Sequence, residues 1–415
     1  MRILLSTIGS RGDVQPLVAL ALELRDLGQD VRLCVPPDFK GWIEGFNLPV
    51  APIGPEVKKF ASASPSTPPV APSAEQRRLM IDATVATQFA TIGAAADDCD
   101  VIVAASALQI AAGSIAEKRG IPYVFAAYAP TVLPSPHHGP APLPPAPDRP
   151  ALPPTDDNRE LWNRNAARFN DSFGAPLNAH RAAIGLPPVD DVQRYMFTGH
   201  PWLAADAALA PWPGSPEYEV FQTGAWILSD RRPLSREIEA FLAAGDSPIF
   251  FGFGSMRAAP NVGRSMIDAA RAVGRRAIVS SGWADLSVED ASDCLTIGDA
   301  NLQTLFTRVA AIVHHGGAGT TTLAALGGVP QVVVPQIYDQ HDSARRIADL
   351  GIGVAHAAGV PNAESLASAL DQALRPDVAE RAQAMASAVR RDGAHIAAAE
   401  LVSARLRSSV RSGRP

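Results

Sequence analysis

Short apolar runs rich in Val, Ile and Phe alternate with helical stripes along most of the 415-residue chain. Residues 2–7 read as a strand, and Leu17, Leu20, Leu24 and Leu27 then recur at helical spacing up to Gly28. Residues 31–35 form a second strand candidate, and 101–105 and 123–127 continue the alternation. A second series opens at 249–256 and runs through 277–281, 295–297, 309–313 and 331–334, with helical patterns between several of them. Strands that are apolar throughout, separated by helices, predict parallel sheets buried on both faces. The expected fold is α/β: two Rossmann-like, doubly wound domains facing an inter-domain cleft, with ligands at the carboxyl ends of the strands.

Proline punctuates this pattern. The stretches 61–73 and 135–154 can be neither helix nor central strand, and are expected as loops around an acceptor mouth or as linkers. A Trp- and Pro-rich tract at 201–216 marks the approach to a boundary. The expected division is 1–215 for a first Rossmann-like domain, 216–235 for a linker and 236–396 for a second. The segment 397–415, with Leu401, Leu406 and Val410 on an Arg-bearing helical pattern, crosses back onto the first domain or trails as a tail.

The richest chemistry lies in residues 309–342, VAAIVHHGGAGTTTLAALGGVPQVVVPQIYDQHD. A strand runs into His314-His315-Gly316-Gly317-Ala318-Gly319-Thr320, and a helix over 320–326 stops at Gly327-Gly328. The helix's free amides and positive dipole end face the loop, where an anion belongs. The loop lacks the Lys of a P-loop, which disfavours an ATP or GTP hydrolase. A histidine supplies a donor instead, and strand alternation sends His314 and His315 to opposite sides, so one of the two reaches the phosphates. The first loop, IGSRGDVQP, is not GxGxxG, and no acidic residue closes the second strand, so NAD binding is disfavoured.

Composition narrows the classes. A formal charge of −6 argues against nucleic acid as the main partner. Three cysteines, Cys34, Cys99 and Cys294, with no CxxC pair give neither a disulfide framework nor a structural zinc site. There is no membrane-spanning run, and MRILLST is too short an apolar stretch for a signal peptide, so the chain is expected in the cytoplasm without integral membrane contact. Asp98-Cys99-Asp100 resembles a metal-binding DxD, but it precedes a strand instead of following one. No metal site is expected.

The combination GSRGDVQPLVALA, LNAHRAAIGLPPV, HPWLAADAALAP, QTGAWILSDRRPLS, FGFGSM, SSGWADL, HHGGAGTTT, GVPQVVVPQIYDQ and a C-terminal DGA resembles GT-B glycosyltransferases. The likeness is to those that attach sugars to vancomycin-type glycopeptide antibiotics, with sterol and macrolide enzymes more distant. It implies inverting transfer of a sugar from a TDP- or UDP-sugar to a hydroxyl of a natural-product acceptor. By the same resemblance Asp13 stands at the family's general base; as a helix cap it has a second, compatible role. Ser10, Arg11, Ser255, His315, Gly317, Gly319 and Thr320 fall at donor-phosphate positions. Asp339 and Gln340 fall at donor-sugar positions, and Trp283, Asn301 and Leu302 lie near the nucleotide base. Leu323 stands where plant relatives carry a ribose-binding Glu, so ribose recognition differs. The nucleotide-sugar is a co-substrate, no cofactor is implied, and Mg²⁺ could ease product release without being required. The chain is expected as a monomer or homodimer.

Alternative readings are a GT-B nucleotide-sugar epimerase, a pseudo-glycosyltransferase making a non-glycosidic bond, and a noncatalytic auxiliary protein. Only a transferase or pseudo-transferase needs both an acceptor mouth and the complete phosphate set.

Overall fold

The computed structural model describes residues 1–58, 72–106, 108–141, 153–256, 262–283, 292–357 and 359–412, with side chains to residue 404. Two all-parallel sheets organise them. The first contains β1 (Arg2–Thr7), β2 (Asp30–Val35), β3 (Val50–Pro52), β4 (Val101–Ala105), β5 (Tyr123–Ala127), β6 (Trp202–Leu203) and β7 (Phe221–Gln222), in the order β3-β2-β1-β4-β5-β6-β7. The second contains β8 (Ile249–Gly252), β9 (Ala277–Ser280), β10 (Cys294–Ile297), β11 (Ala311–His314), β12 (Gln331–Val333) and β13 (Gly353–Ala355), in the order β10-β9-β8-β11-β12-β13.

Residues 4 and 5 of β1 send adjacent leucines to opposite faces, and each face has its own core. Leu5 joins Leu17, Leu20 and Leu24 of the helix Arg11–Asp26 on one side, while Leu4 joins Val85 and Ile92 of the helix Ala74–Ala95 on the other. The strand order reverses between β1 and β4 in the first sheet, and between β8 and β11 in the second. Such switch points are where open α/β sheets bind ligands, outside the carboxyl ends of the strands.

Strand β7 lies inside the stretch 216–235 read as linker, so the connecting segment begins after Gln222. The two-residue strands β6 and β7 carry too little periodicity to be seen in sequence. The helix Gly393–Ser412 returns to the first domain, where Ala394, Ala397, Ala398 and Leu401 enter the core of the helix Arg11–Asp26. His395 Nδ1 lies 3.0 Å from Glu23 Oε2 across that contact. The Pro-rich stretches 61–73 and 135–154 fall largely outside the described residues, as do the side chains of Leu406 and Val410.

Candidate active site

Asp13 occupies the first turn of the helix Arg11–Asp26, directly beyond β1. Its Oδ2 accepts the Ser10 amide at 2.7 Å and the Ser10 hydroxyl at 3.3 Å. Only glycine fits two residues upstream of Arg11: a Cβ on Gly9, at φ +153°, would stand 2.2 Å from that oxygen. Hydrogen bonds to a carboxylate lower its pKa, but burial outweighs them here and, with Asp339 from the second domain, raises Asp13 to about 6.

Across the cleft, β11 ends at His314 and the helix Ala318–Leu326 begins after Gly317. The amides of Ala318, Gly319 and Thr320 precede the first intrahelical bond, in which the Thr321 amide donates to Gly317 O at 3.0 Å. Thr321 and Thr322 turn their hydroxyls back to the carbonyls of Gly317 and Ala318, while Gly319 is open to solvent.

The two histidines divide structure from site. His314 is fully buried; its Nδ1 accepts the Gly316 amide at 3.1 Å, so the ring proton sits on Nε2, 2.8 Å from Gln331 Oε1. Burial, with His315 beside it, lowers its pKa to about 3. His315 faces the other way, against the glycines: a Cβ on Gly317 would lie 2.5 Å from its Nε2, and one on Gly254 3.2 Å from its Cε1. Its Nδ1 is buried without a hydrogen-bond partner among the described residues. Burial lowers the His315 pKa to about 4, so a neutral imidazole stands beside the free amides.

The turn after β8 completes this face. Gly254 and Ser255 follow Phe253, and the Trp283 amide donates to Gly254 O at 2.9 Å, tying the turn after β9 to that after β8. Asp339 caps no amide with its side chain; burial and Asp342 raise its pKa to about 6.

Several candidates serve other contacts. Ser10 is spent on the capping box with Asp13. The Arg11 guanidinium lies 3.8 Å from the centre of the Trp42 ring, Nε donates to Gln15 at 3.0 Å, and the charges it senses are those of Asp299, Arg232 and Asp230. The Asn301 amide group is committed to the linker, donating to the carbonyls of Asp230 and Arg232 at 3.0 and 2.7 Å. Leu302 packs into the apolar cluster of Leu234 and Ile238. Trp283 stacks on Phe39 of the first domain, with ring centroids 6.3 Å apart. Gln340 is buried, and its Oε1 accepts the amides of Gln336 and Ile337, fixing the loop that carries Asp339. Local spacing cannot reveal the Trp42, Phe39 and Asp230 contacts, whose partners are distant in sequence.

Two residues absent from the sequence reading hold the domains in register. The Asp206 carboxylate accepts the Arg390 amide at 2.8 Å, and Arg346 donates to Leu209 O at 2.9 Å. Asp98 and Asp100 sit at the amino end of β4, where Asp98 pairs with Arg2 at 3.0 Å and Asp100 accepts the Arg2 amide at 2.8 Å. That end is opposite the cleft. Among the described residues, no group of three or more His, Cys, Asp or Glu is placed to hold a metal ion, and no helix is long and apolar enough to cross a membrane.

Residues 3–135 match the family described as glycosyltransferase family 28 N-terminal domain. Residues 291–405 match that of the erythromycin biosynthesis protein CIII-like C-terminal domain. The chain is 49% identical to glycosyltransferase GtfE of Amycolatopsis orientalis, over 96% of both chains. It is 48% identical to the vancomycin aglycone glucosyltransferase of the same organism, over 97% of this chain and 98% of that one. Its fold matches the crystal structure of the glycotransferase of kitacinnamycin with TM-score 0.71 at 18% identity, covering 97% and 98% of the two chains. The architecture is therefore GT-B.

Proposed function

This chain belongs to the family of the vancomycin-type glycopeptide glycosyltransferases, and on that premise we propose that it transfers a sugar, with inversion, from a TDP- or UDP-sugar to a hydroxyl of a glycopeptide-type aglycone. The observation that carries the proposal is the placement of Asp13 in the helix turn that follows β1, and of the Gly-rich helix start at Ala318 after β11, each at the carboxyl end of a strand at its sheet's switch point. In the reaction the acceptor oxygen attacks the anomeric carbon while Asp13 takes its proton. The bond from that carbon to the diphosphate oxygen breaks, and its electron pair leaves with the nucleoside diphosphate.

The amides of Ala318, Gly319 and Thr320, with the neutral His315 ring, support stabilisation of that departing charge. In this reading such fixed donors serve the chemical step without a required metal ion, and Mg²⁺, if added, would ease product release. Asp339 supports recognition of a sugar hydroxyl, and the Trp283 ring supports enclosure of the base. The relative named for an aglycone and for glucose suggests glucose as the first donor to try.

A thermal-shift panel of UDP, TDP, GDP and their glucose conjugates tests donor binding, because a ligand of the native state raises its melting temperature. Mass and NMR analysis of the product with a glycopeptide aglycone then tests transfer. A β-linked product from an α-linked donor, formed equally in EDTA, is expected; a retained configuration or strict metal dependence rejects the mechanism.

A further inference from the structure

We infer that Tyr128 is a positioning residue for Asp13, pinning the main chain of the carboxylate-bearing turn to the inter-domain linker. The inference rests on the reading of Asp13 as the base. Tyr128 directly follows β5, at the carboxyl edge of the first sheet. Its hydroxyl donates to the Asp13 carbonyl oxygen at 3.0 Å, across 115 residues of sequence. Its ring meets the indole of Trp226 edge-on, with centroids 6.1 Å apart and planes at 78°.

Trp226 belongs to the segment that joins the domains, and it is itself fixed. Its Nε1 donates to Thr223 Oγ1 at 3.0 Å, and that hydroxyl donates to Gly224 O at 2.8 Å. Trp226 and Leu228 share the core of Ala394, Ala397 and Ala398 from the returning helix. A continuous series of contacts thus runs from linker to Trp226, to Tyr128, to the main chain of Asp13.

The turn that carries Asp13 needs such an anchor. Pro16 lies inside the helix and has no N–H, so the Gly12 carbonyl lacks its usual intrahelical donor and the first turn is weakened. A general base must stay within hydrogen-bond reach of the acceptor hydroxyl, and a misplacement of about 1 Å costs on the order of a hundredfold in rate. A phenol held on a strand end is a fixed donor. Burial, with Asp13 nearby, pushes the Tyr128 pKa far up, so the group remains protonated while Asp13 titrates. The groups facing Asp13 are Asp339 from the second domain, Ser10 from its own loop and this phenol.

Tyr128→Phe removes only the hydroxyl. We expect kcat to fall about tenfold or more, with donor and acceptor KM changed by less than about twofold. The acid limb of the kcat–pH profile should move by about half a pH unit, because the loosened turn alters the surroundings of the carboxylate. Unchanged kcat with an unmoved acid limb overturns the inference, as does a fall in kcat that merely tracks the loss of folded protein. Trp226→Leu keeps the phenol but removes its backing, should move the same limb, and serves if Tyr128→Phe folds poorly. Asp13→Asn run alongside separates the two claims. Near-normal turnover in that variant removes the base itself, whereas an inactive Asp13→Asn beside a normal Tyr128→Phe rejects positioning alone.

Discussion

Ser10 and Asp13 close on one another: the Ser10 amide and hydroxyl both reach Asp13 Oδ2, at 2.7 and 3.3 Å, and leave Oδ1 outside the capping box. Capping and proton transfer are therefore compatible in one side chain, since the cap engages one oxygen. The cap also limits how far the carboxylate can swing.

Asp13→Asn is expected to lower turnover by about 10²–10⁴-fold, with the nucleotide-induced thermal shift retained. Rapid turnover by this variant would reject the base assignment.

The same substitution has a stability consequence of opposite sign. The Asp13 pKa rises from an ordinary 3.8 to about 6 in the fold, so its favourable contribution is complete below the ordinary value and is lost as pH rises through 6. At pH 8 the native state carries a desolvated charge, and Asp13→Asn should be more stable there by on the order of 1–2 kcal/mol. Urea melts at pH 4 and pH 8 measure this. A variant destabilised at pH 8 would mean that the two Ser10 hydrogen bonds outweigh burial.

The kcat–pH profile should have an acid limb near pH 6, because Asp13 accepts a proton only when ionised. Asp339 raises the Asp13 pKa through like charge, so Asp339→Asn should move that limb to lower pH while also weakening donor use. A limb that stays in place would argue that the two carboxylates do not sense each other.

The adjacent histidines should respond differently to substitution. His315→Ala is expected to raise donor KM with little change in melting temperature. Gly317→Ala should imitate it, since the added Cβ would meet His315 Nε2 at 2.5 Å and displace the ring. His314→Leu leaves Gln331 Oε1 and the Gly316 amide without their buried partner, and should cost about 2–3 kcal/mol in stability. Its acid sensitivity should change too. The neutral His314 ring contributes stability above its ordinary 6.5, which is lost as pH falls toward about 3. Equal effects of the two histidine substitutions on donor KM would contradict this division.

The sequence by itself determined the two parallel sheets, the strands 101–105 and 123–127, the Gly-rich loop before a helix and the placement of Asp13 at a helix start. Those features depend on neighbours within a turn or a strand, where periodicity and capping chemistry act. The same locality explains why one histidine of the pair was readable as structural: alternation at a strand end separates their directions, and burial then acts on each. Tertiary structure alone decided the partners. The Asn301 amide faces the linker, Arg11 lies on Trp42, Trp283 stacks on Phe39, and Asp206 holds the Arg390 amide. It also decided the pKa of Asp13, because burial and the charge of Asp339, 326 positions away in sequence, act on that carboxylate only in the folded chain. Side-chain type specifies what a group can do; the packing of distant segments decides what it meets.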